Sequence, residues 1–324
     1  MGNAIGLDVG HSAVKVAVDG GRVIFPTAVI PAFTLHDEVA AARARRDTVK
    51  VDNATFFVGD TAIAQGRMTS TPGLYENWTE SDEHSALLLA GFRRAVEAGA
   101  SESSVVVLGL PASLFSRQRD ALRDHASRLL QTRVLVMPQP VGPFSELMFD
   151  DRGRLKSAAA MDGESWAVIE VGYFTTDFTL IQKGQWIEDK STSCSGVRIA
   201  TERLQKIISA NGMSATLFEC EDILRKKTIV NFGRDRDMSK EVTDAMTPLA
   251  AEIFDTANRL FAASARLLNG IIITGGGSDL VFSALKSHWP NAVQPQEPRF
   301  SVAEGMRRYG EYKVWVESQP EVAA

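Results

Sequence analysis

Apolar residues recur along this chain in two rhythms, and the alternation between them predicts its elements. Residues 4–10 form an apolar run that turns at Gly10, and residues 12–18 set Val14, Val16 and Val18 on one side, so the two predict a hairpin. Residues 31–73 are mixed, with strand-like Val49, Val51 and 56–58 behind Arg43, Arg45 and Arg46. They predict an insertion at a domain edge whose arginines form a solvated face or, alternatively, a contact between copies. Leu87, Leu88, Phe92 and Val96 follow helical spacing within 84–98, and the β-branched run 105–110 stops at Pro111. A helix over 116–130 and a strand over 134–137, ending at Pro138, complete the first half. After a polar stretch at 150–164 the pattern restarts. Strands are predicted at 166–171, 175–181 and 186–187, joined through Gly172 and the Lys183-Gly184 turn. Helices near 197–210, 217–225 and 239–268 lead to a strand at 271–274, the triplet Gly275-Gly276-Gly277, and helices near 279–288 and 302–312. Both halves open on strands and continue as alternating helix and strand, which predicts a mixed α/β fold.

The two openings superimpose. Asp8 and Gly10 stand in the first hairpin where Glu170 and Gly172 stand in the second, at one constant offset, which implies a duplicated domain with a cleft between the copies. An acid two residues before a glycine at a strand turn has a chemical use. The glycine admits a ligand to the backbone, successive N–H groups form an anion-binding concavity, and the carboxylate faces a cation carried by the anion, usually through water. Lys15 adds a point charge within reach of a phosphate. The apolar strand ending in three glycines opens a helix at Ser278, so a flat ligand or a phosphate can approach backbone N–H groups at a positive helix end. The plain alternative is a flexible strand-to-helix turn. No Gly-x-x-x-x-Gly-Lys-Ser/Thr occurs and no Gly-x-Gly-x-x-Gly follows the first strand, which disfavours P-loop and Rossmann assignments. His11 is either a phosphate contact or a surface-turn histidine. Asp150-Asp151 and Arg234-Asp235-Arg236-Asp237 read as loop charges, and Phe254, Leu260, Phe261 and Leu267 as core positions of a long helix.

At 324 residues and 44% hydrophobic content, the chain has the material for two domains with a sizeable core. A formal net charge of -5 argues against direct binding of nucleic acid. The two cysteines, Cys194 and Cys220, are too sparse for a disulfide framework or a zinc site, and a cytoplasmic location fits. No run approaches the ~18 apolar residues of a spanning helix, and 312–324 shows no basic amphipathic helix, so no membrane partner is expected.

Four pieces in order carry a resemblance: the Asp-x-Gly hairpin with its downstream lysine, the proline-flanked Gln139, the second acid-x-Gly-x-x-Thr-x-Asp hairpin, and the apolar strand ending in three glycines. Together they resemble the actin, heat-shock chaperone and sugar-kinase ATPase superfamily over nearly the whole chain. The resemblance implies an actin-like (ribonuclease H-like) duplicated α/β fold with ATP or ADP and Mg²⁺ in the cleft. Domain I would span 1–145, with an inserted subdomain at about 31–75 and completion by the C-terminal helix at about 305–324; domain II would span 146–304. In the first phosphate loop, Gly10, His11, Ser12, Ala13 and Lys15 would meet the nucleotide, and in the second, Gly172, Tyr173, Phe174 and Thr175. Gly196, Glu202 and Arg203 would close over base and ribose, Gly275, Gly276, Gly277 and Ser278 would form the adenosine motif, and Met306 would contact the nucleotide from the second connector, 299–306. Asp8 and Glu170 would support Mg²⁺ through water and act with Gln139, which would align the attacking water. Glu170 departs from the usual Asp, and its extra methylene shifts the metal geometry. Gln139 is the residue of actins, where partition and chaperone relatives often carry Glu.

A chaperone would need an appended peptide-binding domain, and the chain is too short for one. A kinase would need a carboxylate base where Gln139 stands. The helix at 197–210, the segment Phe218-Glu219-Cys220-Glu221-Asp222-Ile223-Leu224 and the compact length resemble the ParM/StbA plasmid-segregation group. That resemblance implies a polymerising ATPase whose partners are further copies of itself and a DNA-binding adaptor protein. The alternative is a monomeric small-molecule kinase of the same superfamily.

Overall fold

The computed structural model describes residues 2–66, 78–156 and 163–319. The chain divides into two compact units, one formed by Met1–Ser157 with Phe300–Ala324 and the other by Ala158–Arg299.

In the first unit the opening runs pair as an antiparallel meander of β1 (Ala4–Val9), β2 (Ala13–Val18) and β3 (Gly21–Pro26). β3 has no clear apolar alternation and ends in proline, which the edge of a sheet tolerates because no ladder N–H is needed there. A smaller sheet follows, with β4 (Val29–Pro31), β5 (Thr48–Val51) and β6 (Ala54–Val58) in the order β4-β6-β5 and α1 (Glu38–Ala44) in the connection. Arg43, Arg45 and Arg46 are exposed on it. After α2 (Gly59–Gln65) comes α3 (Asp82–Glu97), started by Ser81, whose hydroxyl accepts the His84 N–H at 3.1 Å. Its Leu87, Leu88 and Ala90 are wholly buried. Asp47 fastens the smaller sheet to α3. It accepts from the Thr61 N–H (3.1 Å) and hydroxyl (2.7 Å) and from Arg94 (2.5 Å), whose guanidinium also lies 3.8 Å over the Phe25 ring. The end of the expected insertion, 67–75, falls outside the described residues. β7 (Val105–Leu110), α4 (Ala112–Leu130) and β8 (Val134–Pro138) extend the main sheet in parallel to the order β3-β2-β1-β7-β8, and α5 (Val141–Met148) follows.

The second unit repeats this plan. β9 (Ser165–Val171), β10 (Thr175–Gln182) and β11 (Gln185–Ser195) form the meander. Next come α6 (Val197–Ala210), α7 (Leu217–Lys226), the ribbon β12 (Thr228–Asn231) and β13 (Arg234–Asp237), and α8 (Ser239–Ala265). β14 (Gly270–Thr274), α9 (Ser278–His288) and β15 (Ala292–Val293) complete a sheet ordered β11-β10-β9-β14-β15. In both sheets the third, second, first, fourth and fifth strands lie in that order, the structural counterpart of the repeated hairpin. Two expectations are corrected here. Arg234-Asp235-Arg236-Asp237 is a strand, because the two-residue turn before it pairs it with β12. Leu267 lies beyond the end of α8 and is exposed, whereas Phe261 is buried in the core.

The last helix, α10 (Ser301–Ser318), returns to the first unit, where it packs on β1 and α5. Helix α5 and helix α10 cross closely. A Cβ at Gly305 would stand 1.7 Å from the Gly142 carbonyl oxygen, so only glycine fits. Glu311 accepts the N–H groups of Asn3 (2.6 Å) and Ala4 (2.9 Å), tying down the start of β1. Glu304, buried to 3% exposure, pairs with Arg307 and Arg308 at 2.7 Å each. Because α5 packs on α10, the first unit runs past the expected division at 145/146 to Ser157 and resumes at Phe300. Residues 320–324 of the expected terminal helix fall outside the described residues. Among the described residues no helix is long and apolar enough to cross a membrane.

Candidate functional site

In the first unit the ladder itself brings the acid and the lysine together, since Asp8 lies directly across from Lys15. The Lys15 ammonium donates to Asp8 Oδ2 at 2.8 Å, and Gln139 Nε2 donates to Asp8 Oδ1 at 2.9 Å. Both carboxylate oxygens are thus engaged, and Asp8 is 2% exposed. Gln139 reaches it because β1, β7 and β8 are parallel and end on one side; its N–H donates to the Leu110 carbonyl at 2.8 Å. Gly109 forms the floor beneath it. A Cβ there would lie 2.6 Å from Gln139 Cγ and 2.0 Å from Met306 Cε. That role escaped sequence reading, although a glycine inside a β-branched strand is itself a sign of close approach.

At the turn, Gly10 leaves room for the backbone: a Cβ would stand 3.0 Å from the Ala13 carbonyl oxygen and 3.3 Å from Lys15 Nζ. Buried Thr27, not anticipated, donates its hydroxyl to the Gly10 carbonyl at 2.6 Å and its N–H to that of Ser12 at 3.1 Å. Ala13 is buried and Ser12 half-buried. Burial lowers the His11 pKa, Asp8 opposes the shift and Lys15 adds to it.

The second hairpin has the same register with different chemistry. Glu170 lies across from Asp177, where the first hairpin pairs acid with lysine. Burial pushes the Asp177 pKa up to about 6, against the pull of the Thr175 hydroxyl donating at 2.9 Å. The turn is fastened to α6: Gly196, Val197 and Arg198 donate their N–H groups to the carbonyls of Phe174 (2.8 Å), Gly172 (3.0 Å) and Tyr173 (2.8 Å). Gly172 donates in turn to the Thr175 carbonyl at 2.9 Å. A Cβ on Gly196 would lie 2.5 Å from the Tyr173 oxygen, so this glycine serves the joint between turn and helix. Tyr173 and Phe174 form an edge-to-face pair at 5.0 Å, and Arg198 lies 5.1 Å over Phe174 while pairing with Glu202 at 2.7 Å. Arg203 is not brought to this group; it donates to the Asp244 carbonyl on α8 at 3.1 Å.

The glycine triplet divides in two. Gly275 has φ +91°, and a Cβ there would stand 2.5 Å from the Val171 oxygen; a Cβ at Gly277 would strike Val197 Cγ2 at 2.3 Å. Both are demanded by packing. Gly276 is not, its nearest neighbour being Arg225 Nη2 at 3.8 Å. Arg225, unmarked by any sequence motif, donates to the Gly276 carbonyl at 2.5 Å and pairs with Glu221 at 2.9 Å. Two further residues of the expected site are buried. Ser278 is wholly buried and its hydroxyl closes the turn on the Gly275 carbonyl at 2.8 Å. Met306 is a core residue of the first unit, packed with Val105, Val107, Met137 and Val302, because its helix turns that side onto β7.

For a dication the donors are hard carboxylate oxygens. Asp8 has both oxygens engaged, so it would meet a cation only through water, while Glu170 and Asp177 stand opposite each other in the ladder. Both arrangements fit magnesium, which retains much of its water. Among the described residues no three His, Cys, Asp or Glu side chains gather into a cage.

Residues 6–142 match the family model of the N-terminal domain of actin-like proteins, and residues 168–287 that of the C-terminal domain of the archaeal MreB-like actin homologue. No curated protein matches the chain. Among solved structures, the 15-stranded ParM filament from Clostridium botulinum is similar at TM-score 0.76 and 20% identity, over 96% of this chain and 99% of that one. The archaeal actin homologue Ta0583 in complex with ADP is similar at 0.73 and 21%, over 95% and 99%. Bacillus thuringiensis ParM with AMPPNP is similar at 0.68 and 15%, over 97% and 99%. At these identities the likeness to the solved structures is one of fold.

Proposed function

Because the chain belongs to the actin-like proteins, with family models matched in both halves, we propose that it binds ATP with Mg²⁺, hydrolyses it, and assembles with copies of itself into filaments. The observation that carries this reading is the doubled hairpin. One ladder sets Asp8 against Lys15 with Gln139 on the free oxygen, and its repeat sets Glu170 against Asp177. The turns around Gly10 and Gly172 hold phosphate oxygens, Lys15 offsets their charge, and Gln139, whose amide nitrogen is held by Asp8, presents its amide oxygen to the attacking water. By the resemblance to actin-like proteins, Asp8 and Glu170 would each face the metal through water, and the metal would neutralise charge on the phosphates. A ParM-type task, the movement of DNA through an adaptor protein in the cytoplasm, suits a chain whose net charge of -5 disfavours direct contact with DNA.

Sedimentation tests the assembly. The protein at tens of micromolar is expected to pellet with Mg-ATP and with a non-hydrolysable analogue, and to disperse after hydrolysis. A chain that stays monomeric with both nucleotides, at low and physiological salt, returns the assignment to the monomeric kinase.

Gly276 supplies a test of the nucleotide site that does not depend on the fold. Its Cβ position is open in the free protein, so Gly276→Ala and Gly276→Val are expected to fold normally. Valine there is expected to weaken ATP binding by about tenfold or more through contact with base or ribose. Equal affinity by calorimetry would reduce the triplet to a turn.

A further inference from the structure

The ribbon β12–β13 has a feature that nucleotide chemistry does not use. Its two-residue turn, Phe232-Gly233, has positive φ at both positions, 48° and 74°, the hairpin turn that favours Asn-Gly. Phenylalanine is disfavoured there twice over. Its Cβ crowds the left-handed backbone, and the residue is 99% exposed to water. Beside it, exposed Val230 lies across the ladder from Asp235, on the face opposite buried Ile229. A local rule broken with no gain inside the molecule points to a gain outside it, and a solvated aromatic knob is the usual anchor of an interface.

The same unit carries a surface that fits this knob. Leu267, 65% exposed, projects from the link between α8 and β14 beside exposed Arg266. Asn291 donates to the carbonyls of Ala265 (3.3 Å) and Leu268 (3.1 Å), which joins this link to the α9–β15 link; Val293, in β15 itself, is exposed. Lys286 reaches the same link, donating to the Pro290 carbonyl at 2.8 Å. The nearby acid, Glu164, accepts the Trp166 indole N–H at 2.9 Å. The surface is therefore apolar with cationic edges, complementary to the ribbon face that carries Val230 and Asp235, the exposed Arg234 and Arg236 lying on the other face.

The segments that carry the two features attach at opposite ends of β14. Arg225, near the end of α7, bonds to Gly276 just beyond the C-terminal end of β14, and the ribbon follows α7 directly. Leu267 precedes the N-terminal end of the same strand. We propose that Phe232 of one copy docks on the Leu267 surface of the next, so that each copy offers a knob at one end and a seat at the other. Such a heterologous contact adds copies head to tail and does not close into a pair. The proposal rests on the self-assembly reading and specifies the residues that carry it.

The deciding variant is Phe232→Asn. Asparagine suits the left-handed turn, so the thermal midpoint is expected to hold or rise, and ATP affinity to stay as in wild type. The critical concentration for pelleting with Mg-ATP is expected to rise about tenfold or more, and Leu267→Asp to match it. In a mixture of Phe232→Cys and Leu267→Cys chains, a short bis-maleimide is expected to link one to the other. Wild-type critical concentrations in both variants, with a wild type that assembles, would overturn this contact and leave the assembly reading standing. A link formed only between two Phe232→Cys chains would do the same. A wild type that never assembles overturns both.

Discussion

Replacing Glu304 with alanine is expected to cost about 3–5 kcal/mol of folding stability, the usual consequence of removing one partner from a buried ion pair. The carboxylate lies between Arg307, itself 3% exposed, and Arg308, and bonds to both at 2.7 Å. Without it, Arg307 keeps a buried charge whose other partners are the Asp151 carbonyl and, at 3.7 Å, the Asp151 carboxylate. Against a typical total stability of ~5–15 kcal/mol, this loss brings the chain close to unfolding at ambient temperature. The pH dependence follows from the same contacts. Burial alone would raise the Glu304 pKa, but the hydrogen bonds and charges of Arg307 and Arg308 outweigh it and hold the pKa below its ordinary value. Its contribution is therefore full above the ordinary carboxylate range and is lost as pH falls through the depressed folded value. Urea unfolding at pH 7 and at pH 4 checks both statements. A loss below about 1 kcal/mol at pH 7 would mean that water or a relaxed helix takes over the pairing.

Gln139→Ala is expected to lower ATP turnover by roughly 10²–10³ while ATP affinity changes little, the range for loss of one positioned polar group at a transition state. The amide is held from two sides, by its hydrogen bond to Asp8 and by the floor at Gly109, so its position costs nothing to establish when the ligand arrives. Gly109→Ala, which would push a methyl to within 2.6 Å of Gln139 Cγ, is expected to give a smaller loss in the same direction. Glu170→Ala is expected to match Gln139→Ala through the metal. Phosphate release at saturating Mg-ATP, beside calorimetric affinity, separates turnover from binding. Undiminished turnover in either alanine variant removes that residue from the mechanism.

Local patterns carried much of this architecture. The hairpins at residues 4–18 and 165–182 announce themselves because alternation and glycine turns act within a few residues, and the equal offset of Asp8 and Glu170 exposes the repeat without any coordinates. What stayed hidden depends on distance along the chain. The bond from Gln139 to Asp8 spans 131 positions, and the grip of Arg225 on Gly276 joins a helix to a turn 51 positions away. Ser278 and Met306 fit a motif by position, and no local pattern shows that the first bonds to the Gly275 carbonyl or that the second lies against Gly109. The ribbon at 228–237 was obscured for a third reason. Alternating Arg and Asp show no apolar period, and the residue at its turn is not one that turn chemistry favours.

The joint between the second turn and α6 has a mechanical consequence. Three carbonyls of the turn are bonded to the first N–H groups of the helix, so turn and helix are one rigid lever with its fulcrum at Gly196. At 14 residues the arm is about 21 Å long, and a tilt of about 5° at the turn moves its far end by roughly 2 Å. Helix α6 packs on α7, and α7 runs straight into the ribbon that bears Phe232. A displacement of the turn is therefore passed through packed helices to the element that carries the exposed ring.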